Sequence, residues 1–285
     1  MTKQFPTFDG KNAFKYLLKQ TDFGPRNPNS VGHQQCLQFL EIELKKFADK
    51  VTLQNFTQKG YNETLRMTNV FAQFNPELEQ RILLLAHWDT RPRAEQDPDP
   101  KKQNLPIIGA NDGASGVAVL LELARIFKSN PPPVGVDILF TDGEDYGSSS
   151  NDGNTDLYFL GAKHFAKIKS ASYTPEYGIL LDMIGDRDLQ IPLEQHSLRF
   201  APQLLDIVWT TAEEVGVTNF IRVPGDSVSD DHLALNEVGI PTIDLIDFQY
   251  PHWHTHQDTP DKCSPESLEA VGKVLAAVIY TKLKK

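Results

Sequence analysis

The chain has 285 residues, of which 40% are hydrophobic and 23% charged, and this composition excludes a wholly disordered or fibrous protein. Its mean hydropathy is −0.38, and no apolar run approaches the roughly 18–20 residues of a membrane span. The 28 Lys and Arg against 38 Asp and Glu give a net charge of −10, which argues against nucleic acid as a partner because phosphate backbones are repelled.

Helical and strand-like patterns alternate along the chain, starting with helices near 14–19 and over 33–47. Five strands are predicted, at 69–74, 82–87, 136–141, 179–184 and 242–246. Further helices are predicted around 117–127, 203–215 and 268–278, and Ser264-Pro265 is a typical start for the last of them. We therefore expect one α/β domain over residues 1–285, with three layers and a central mixed, mainly parallel sheet flanked by helices.

Three irregular stretches follow the ends of predicted strands, at 91–106, 146–157 and 248–258. In open α/β sheets the carboxyl ends of the strands form the edge where ligands bind. We therefore expect these loops to surround the functional site.

Polar clusters also stand at or just beyond the apolar runs. They are His87-Trp88-Asp89, Asn111-Asp112-Gly113, Asp142-Gly143-Glu144-Asp145, Asp182, Ser229-Asp230-Asp231-His232 and Trp253-His254-Thr255-His256. Each has an ordinary interpretation when taken alone: Asp112 could be a helix N-cap and Glu144-Asp145 a solvated turn. Together at one sheet edge, however, the carboxylates would repel one another unless a divalent cation lay between them. Carboxylate and imidazole ligands without thiolates favour zinc over magnesium or manganese.

The order of these motifs, with Gly24-Pro25-Arg26 ahead of them, resembles the family of zinc-dependent aminopeptidases and glutaminyl cyclases over about residues 8–283. The resemblance implies that the zinc ligands are Asp112, Asp145 and His254, with Asp145 standing where many relatives have Glu. It implies that Glu144 is the glutamate that transfers protons. It also implies a cis peptide bond between Asp112 and Gly113.

Two activities of that family are open at this point. A cyclase would bind one zinc and let an N-terminal glutamine close on itself, whereas an aminopeptidase would bind a second zinc at His87 and Asp182, with Asp112 bridging. Trp253 and Tyr250 resemble the aromatic pocket of cyclases, and the motif after Ser229 resembles the cyclase Asp-Asp-His. The stretches 110–116 and 254–259 resemble aminopeptidases instead.

We predict a glutaminyl-peptide cyclotransferase, an aminoacyltransferase with one zinc per chain that acts on the N-termini of peptides or proteins. In that enzyme Asp182 and Asp230 would form a hydrogen-bond network with the catalytic Glu144, and Trp253 and Tyr250 would contact the substrate. A zinc aminopeptidase is the alternative, and an inactive relative acting as a binding module is the third hypothesis.

Compartment and assembly are not fixed by the sequence. The first residues contain no apolar signal region. The resemblance implies a periplasmic or secreted enzyme whose leader has been removed, and a cytoplasmic enzyme is the other possibility. Oligomeric state is left open.

Overall fold

The apolar runs of the sequence form the centre of a six-stranded sheet in the computed structural model, which describes residues 5–148 and 155–283. The strand order is β1-β2-β4-β3-β5-β8. These strands are β1 Lys50–Lys59, β2 Thr64–Phe74, β3 Arg81–His87, β4 Gly135–Thr141, β5 Tyr177–Asp182 and β8 Thr242–Ile246. Strands β6 (Ile191–Leu193) and β7 (Phe220–Pro224) form a separate two-stranded sheet.

Pairing in the main sheet is mixed. Strands β4, β3, β5 and β8 run parallel, whereas β2 is antiparallel to both β4 and β1. The five strands predicted from the sequence are all present, and the mixed, mainly parallel sheet is confirmed. Strand β1 was missed because it lies at the sheet edge, where its many polar residues are exposed or half-buried and give no apolar run.

Helices cover both faces of the sheet, as expected for strands buried on both sides. Leu84 of β3 packs in the larger core cluster with helices α1, α2, α3, α6 and α8, whereas Leu83 and Leu85 pack on the opposite face with α4 and α7. The helices are α1 Gly10–Thr21, α2 Val31–Phe47, α3 Ala114–Ser129, α4 Leu160–Ile168, α5 Gln195–Phe200, α6 Pro202–Glu214, α7 Asp231–Glu237 and α8 Pro265–Thr281.

Helix starts agree with the sequence where a capping residue was visible. Ser264 caps α8 by accepting a hydrogen bond from the Ser267 backbone, as predicted. Helices α4, α5 and α7 were not predicted, since each spans only 6 to 9 residues and gives little periodic signal. Among the described helices, none combines the length and hydropathy that crossing a bilayer requires.

Candidate active site

The ends of the parallel strands bring the predicted polar clusters to one edge of the sheet. Strand β3 ends at His87, and β5 ends at Asp182. Strand β4 leads directly into the turn that carries Glu144 and Asp145. Asp112 lies just before helix α3, which returns from this edge along the sheet. The convergence follows from topology, because parallel strands all end on the same side.

Asp112, Asp145 and His254 form one compact group of possible metal ligands. Each offers a ligand atom, and these atoms all lie within 4.8 Å of one another. His254 Nε2 is 3.6 Å from Asp112 Oδ2 and 3.4 Å from Asp145 Oδ1. All three side chains are buried.

His87 joins Asp112 to Asp182 on the neighbouring strand. Its Nε2 lies 3.2 Å from Asp112 Oδ1 and 3.1 Å from Asp182 Oδ1, so it can hydrogen-bond to these carboxylates. Burial alone would lower the pKa of His87, but its hydrogen bonds to Asp112 and Asp182 raise that pKa well above its usual value. The two carboxylates therefore favour the charged form of the His87 ring that lies between them.

Glu144 projects into the same acidic region. Burial, followed by the charges of Asp230 and Asp145, raises the pKa of Glu144 well above its usual value. The pKa of Asp230 is likewise raised well above its usual value by burial and by Asp182. A carboxyl group whose pKa is raised can accept and release a proton closer to neutral pH.

Asp145 behaves in the opposite way to these acids. Burial would raise its pKa, but the charges of Arg91 and His254 outweigh burial and lower the pKa of Asp145. Arg91 and His254 therefore favour the ionised form of Asp145, which is the form that binds a metal.

Two further aspartates hold the backbone on which the ligands stand. Asp89 accepts hydrogen bonds from the backbone N–H groups of Glu144 and Asp145, at 3.1 and 3.3 Å. Asp258 accepts from the backbone of Asn111 and Asp112, at 2.8 and 3.1 Å. The motif around His87 already contained Asp89, but nothing in the sequence singled out Asp258, whose partners lie 146 and 147 residues away.

A cleft of about 260 Å³ opens onto the acidic group. Glu144, Asp182 and Asp230 line it together with Asp112, Asp145 and His254. Trp253 forms part of its wall, and the Trp253 ring stacks on the His254 ring with centroids 3.8 Å apart. Apolar and aromatic side chains complete the wall, namely Tyr158, Phe159, Met183, Val228, Ile246 and Phe248.

Tyr250 does not line the cleft, although the sequence predicted that it would contact the substrate. It is buried behind the cleft and is not among the residues that line it. Its hydroxyl donates to Asp258 at 2.9 Å, so Tyr250 supports the Asp112 turn from behind. Buried tyrosine hydroxyls generally need such a partner, and Asp258 is the acceptor within reach.

The expected network among the catalytic acids also differs. No direct hydrogen bond joins Glu144, Asp182 and Asp230 within residues 5–148 and 155–283; Asp182 pairs with His87, and Asp230 accepts from the Asp231 backbone at the start of α7. Carboxylates that lack a shared proton repel each other, and Asp182 and Asp230 are paired with donors instead.

Backbone geometry corrects one expectation and adds one feature. The Asp112–Gly113 peptide bond is trans, since the described residues contain no cis bond, and Gly113 makes the turn into α3 with a φ of 101°. His254 and Met183 adopt left-handed φ values of 55° and 48°. Such conformations cost about 1–3 kcal/mol for residues other than glycine and cluster at functional sites. The predicted loop 146–157 is described only at its two ends, since 149–154 lie outside the described residues.

The residues present fit a divalent zinc ion. Two carboxylates and one imidazole are the ligand types of catalytic zinc, which keeps a fourth position open for water or substrate. Asp145 Oδ2 is buried and has no hydrogen-bond partner, which is the state of a ligand atom that awaits a cation. A cation at this point would also offset the repulsion between Asp112 and Asp145, which raises the pKa of Asp112 after burial has done so.

The domain has three layers, with the central sheet between two layers of helices, and its site of acids and imidazoles lies at one edge of the sheet. This is the fold of Zn-dependent exopeptidases. The sequence pattern of peptidase family M28 matches residues 69–279. The chain therefore belongs to peptidase family M28, and the resemblance seen in its sequence is confirmed.

Solved structures and curated relatives carry names from both branches. A glutaminyl cyclase from Bacteroides thetaiotaomicron, bound to N-acetylhistamine, superposes with a TM-score of 0.94 at 39% identity, covering 98% of this chain and 100% of that one. A leucine aminopeptidase precursor from the same organism gives 0.95 at 39% identity, covering 99% and 100%. A glutaminyl-peptide cyclotransferase-like protein from Mus musculus is 27% identical over 283 residues, which are 89% of this chain and 71% of that protein.

Proposed function

We propose that this enzyme is a zinc-dependent glutaminyl-peptide cyclotransferase that converts N-terminal glutamine of peptides into pyroglutamate and ammonia. One zinc per chain is held by Asp112, Asp145 and His254. The observation that carries the proposal is the pairing of His87 with both Asp112 and Asp182, which engages the side chains that a second zinc would need. It matters because the second zinc separates the two activities.

Ligands of a tetrahedral zinc with bonds of about 2.0–2.2 Å lie about 3.4 Å from one another. The 3.6 Å from His254 Nε2 to Asp112 Oδ2 is close to that separation, and Asp145 offers its Oδ2, which has no hydrogen-bond partner, as the third ligand atom. His87 Nε2 lies 3.1 and 3.2 Å from Asp182 and Asp112, which are the shorter distances of direct hydrogen bonds. This supports one zinc, with His87 and Asp182 paired to each other.

The reaction joins the α-nitrogen of the substrate to its own γ-carbon and breaks the bond from that carbon to the amide nitrogen. Glu144 takes the proton lost by the attacking amine and delivers it to the leaving nitrogen, which departs as ammonia. When bound, zinc supplies Lewis-acid polarisation of the γ-carbonyl. Because attack is intramolecular, holding the glutamine side chain bent supplies much of the acceleration.

The remaining cleft residues have roles that suit this chemistry. Burial and the neighbouring Asp230 raise the pKa of Glu144, and Asp182 in turn raises the pKa of Asp230, which favours a proton carrier at Glu144. The Trp253 face offers a flat apolar wall to a compact, uncharged glutamine side chain. The cleft of about 260 Å³ has room for such a small group.

The second candidate is a zinc aminopeptidase. Ligand atoms of His87, Asp112 and Asp182 also lie within 4.8 Å of one another, so a small shift would admit a second ion bridged by Asp112. In that enzyme His87, Asp112 and Asp182 would hold the second ion, and the metal pair would supply the activation of water that hydrolysis of the first peptide bond needs.

The test is ammonia release from a dipeptide that begins with glutamine, measured beside hydrolysis of a leucine anilide. We expect ammonia without any free amino acid and no anilide cleavage, with about one zinc per chain. Glu144→Gln should abolish turnover while the zinc stays bound, because it removes the proton carrier and no ligand. Release of free amino acids by a protein that contains two zinc ions per chain would establish the aminopeptidase instead. Inactivity on both substrates would leave the hypothesis of an inactive binding module.

A further inference from the structure

Arg91 is a fully buried arginine beside the proposed metal site. It lies in the loop directly after β3, four residues beyond His87, and its side chain is 0% exposed. A buried guanidinium is costly unless its N–H groups find acceptors. Its contacts therefore indicate what it is placed to hold.

One side of the guanidinium holds Asp145. Arg91 Nη1 donates to Asp145 Oδ1 and also to the Asp145 backbone carbonyl, at 3.3 Å in the second case. The other oxygen, Oδ2, is buried and makes no hydrogen bond. Arg91 thus fixes both the side chain and the backbone of Asp145, and it hydrogen-bonds to only one of the two carboxylate oxygens.

The other sides of the guanidinium are braced. Arg91 Nε and Nη2 donate to the two carboxylate oxygens of Glu95, at 2.5 and 3.1 Å, and Nη2 also donates to the Tyr158 hydroxyl at 3.0 Å. A planar fork held in this way cannot rotate away from Asp145. Tyr158 lines the cleft, so the same arginine links a wall residue to a ligand.

We propose that Arg91 is a positioning residue that holds Asp145 as a single-oxygen zinc ligand. This inference rests on the proposed zinc site. With Oδ1 held by the guanidinium, Asp145 does not swing to bind through both oxygens, and the zinc keeps its fourth position for the substrate. A lysine would keep the charge but could not hold the Asp145 side chain, its carbonyl and Glu95 in one plane.

The test compares zinc affinity of Arg91→Lys with that of Arg93→Lys by competition with a chromogenic chelator. Arg93 is the matched control, because its guanidinium contacts Glu95 and donates to the backbone carbonyls of Tyr146 and Gly147. We expect the zinc Kd to rise about 10–100-fold in Arg91→Lys, as is usual when a partner of a metal ligand is lost. The control should stay near the wild-type value.

Cobalt substitution supplies a readout that a purely structural role would not move. If Arg91→Lys releases Asp145, the visible absorption of the Co²⁺ enzyme should weaken as coordination rises from four to five, while the metal-free variant unfolds at the wild-type temperature. Wild-type zinc affinity together with an unchanged cobalt spectrum would overturn the inference.

If Arg91→Lys does not fold, the zinc affinity of Glu95→Gln is measured instead. This change weakens the hydrogen bonds between Arg91 and Glu95 and leaves the Arg91–Asp145 contact in place. Weaker zinc binding than in Arg93→Lys would support the inference, and equal binding would refute it. Neither measurement uses a glutamine substrate, so failure of the cyclase proposal would be seen separately, as zinc-loaded wild-type protein that releases no ammonia.

Discussion

Each side chain at the site has an environment that suits one task. Arg91 and His254 lower the pKa of Asp145, whereas burial and neighbouring acids raise the pKa of Glu144, one residue earlier. Two adjacent carboxyl groups are thereby pushed apart in pKa. This is the arrangement that separates a metal ligand from a proton carrier.

His254 provides the clearest test of the ligand set. We expect His254→Ala to lose zinc, falling from about one ion per chain to near zero after dialysis, because only two carboxylate ligands would remain. His256→Ala is the matched control: its ring bonds to Asp97 at 3.0 Å, outside the ligand group, and it should retain zinc. Metal analysis of both purified variants decides, and a zinc-replete His254→Ala protein would show that the ligands are misassigned.

At the scale of elements, helix α3 sets the position of Asp112. The helix begins directly after the Asp112–Gly113 turn and lies so close to β5 that a Cβ on Gly116 would be 2.2 Å from the Leu181 carbonyl oxygen. Only glycine permits this approach. The distance between Asp112 and the end of β5 therefore depends on a missing side chain one turn into the helix.

Gly116→Ala should force α3 away from β5. In an unconstrained helix this change would stabilise the protein by up to about 1 kcal/mol, but here we expect a loss of about 1–3 kcal/mol from overpacking. Urea denaturation measures the difference, with Lys128→Ala on the exposed end of the same helix as the control. A Gly116→Ala protein as stable as the wild type would mean that the helix and strand are not in such close contact.

At the scale of the whole molecule, the sheet edge carries an unbalanced negative charge. Buried acids include Asp112, Asp230, Asp231 and Asp244, and the pKa of each is raised by burial and by neighbouring acids. The chain as a whole has a net charge of −10. A bound dication would relieve part of this repulsion, so folding and metal binding should be coupled.

Metal removal should therefore lower the unfolding temperature. A ligand that binds only the folded state at about 100 times its Kd adds about 2.7 kcal/mol of stability. We expect a clear fall in Tm when chelator replaces excess zinc, measured by calorimetry, and no such response in His254→Ala. If the wild-type Tm is the same with and without zinc, the buried acids are not balanced by a cation at this site.

The sequence by itself determined the α/β class, the five main strands and the edge where function would lie. Apolar runs, helical spacing and strand ends are local properties that a chain displays before it folds. The acids of the cleft and Trp253 could be named in advance because they stand in short polar motifs whose order resembles the family of zinc-dependent aminopeptidases and glutaminyl cyclases.

Only the tertiary structure decided which atoms meet. Arg91 and Asp145 are 54 residues apart, and Asp112 and Asp258 are 146 apart. The Tyr250 side chain lies behind the cleft, where its hydroxyl donates to Asp258, and the absence of a side chain at Gly116 leaves room for the close approach of α3 to β5. Partner choice and orientation depend on how the layers pack across the sheet, and no local pattern of residues carries that information.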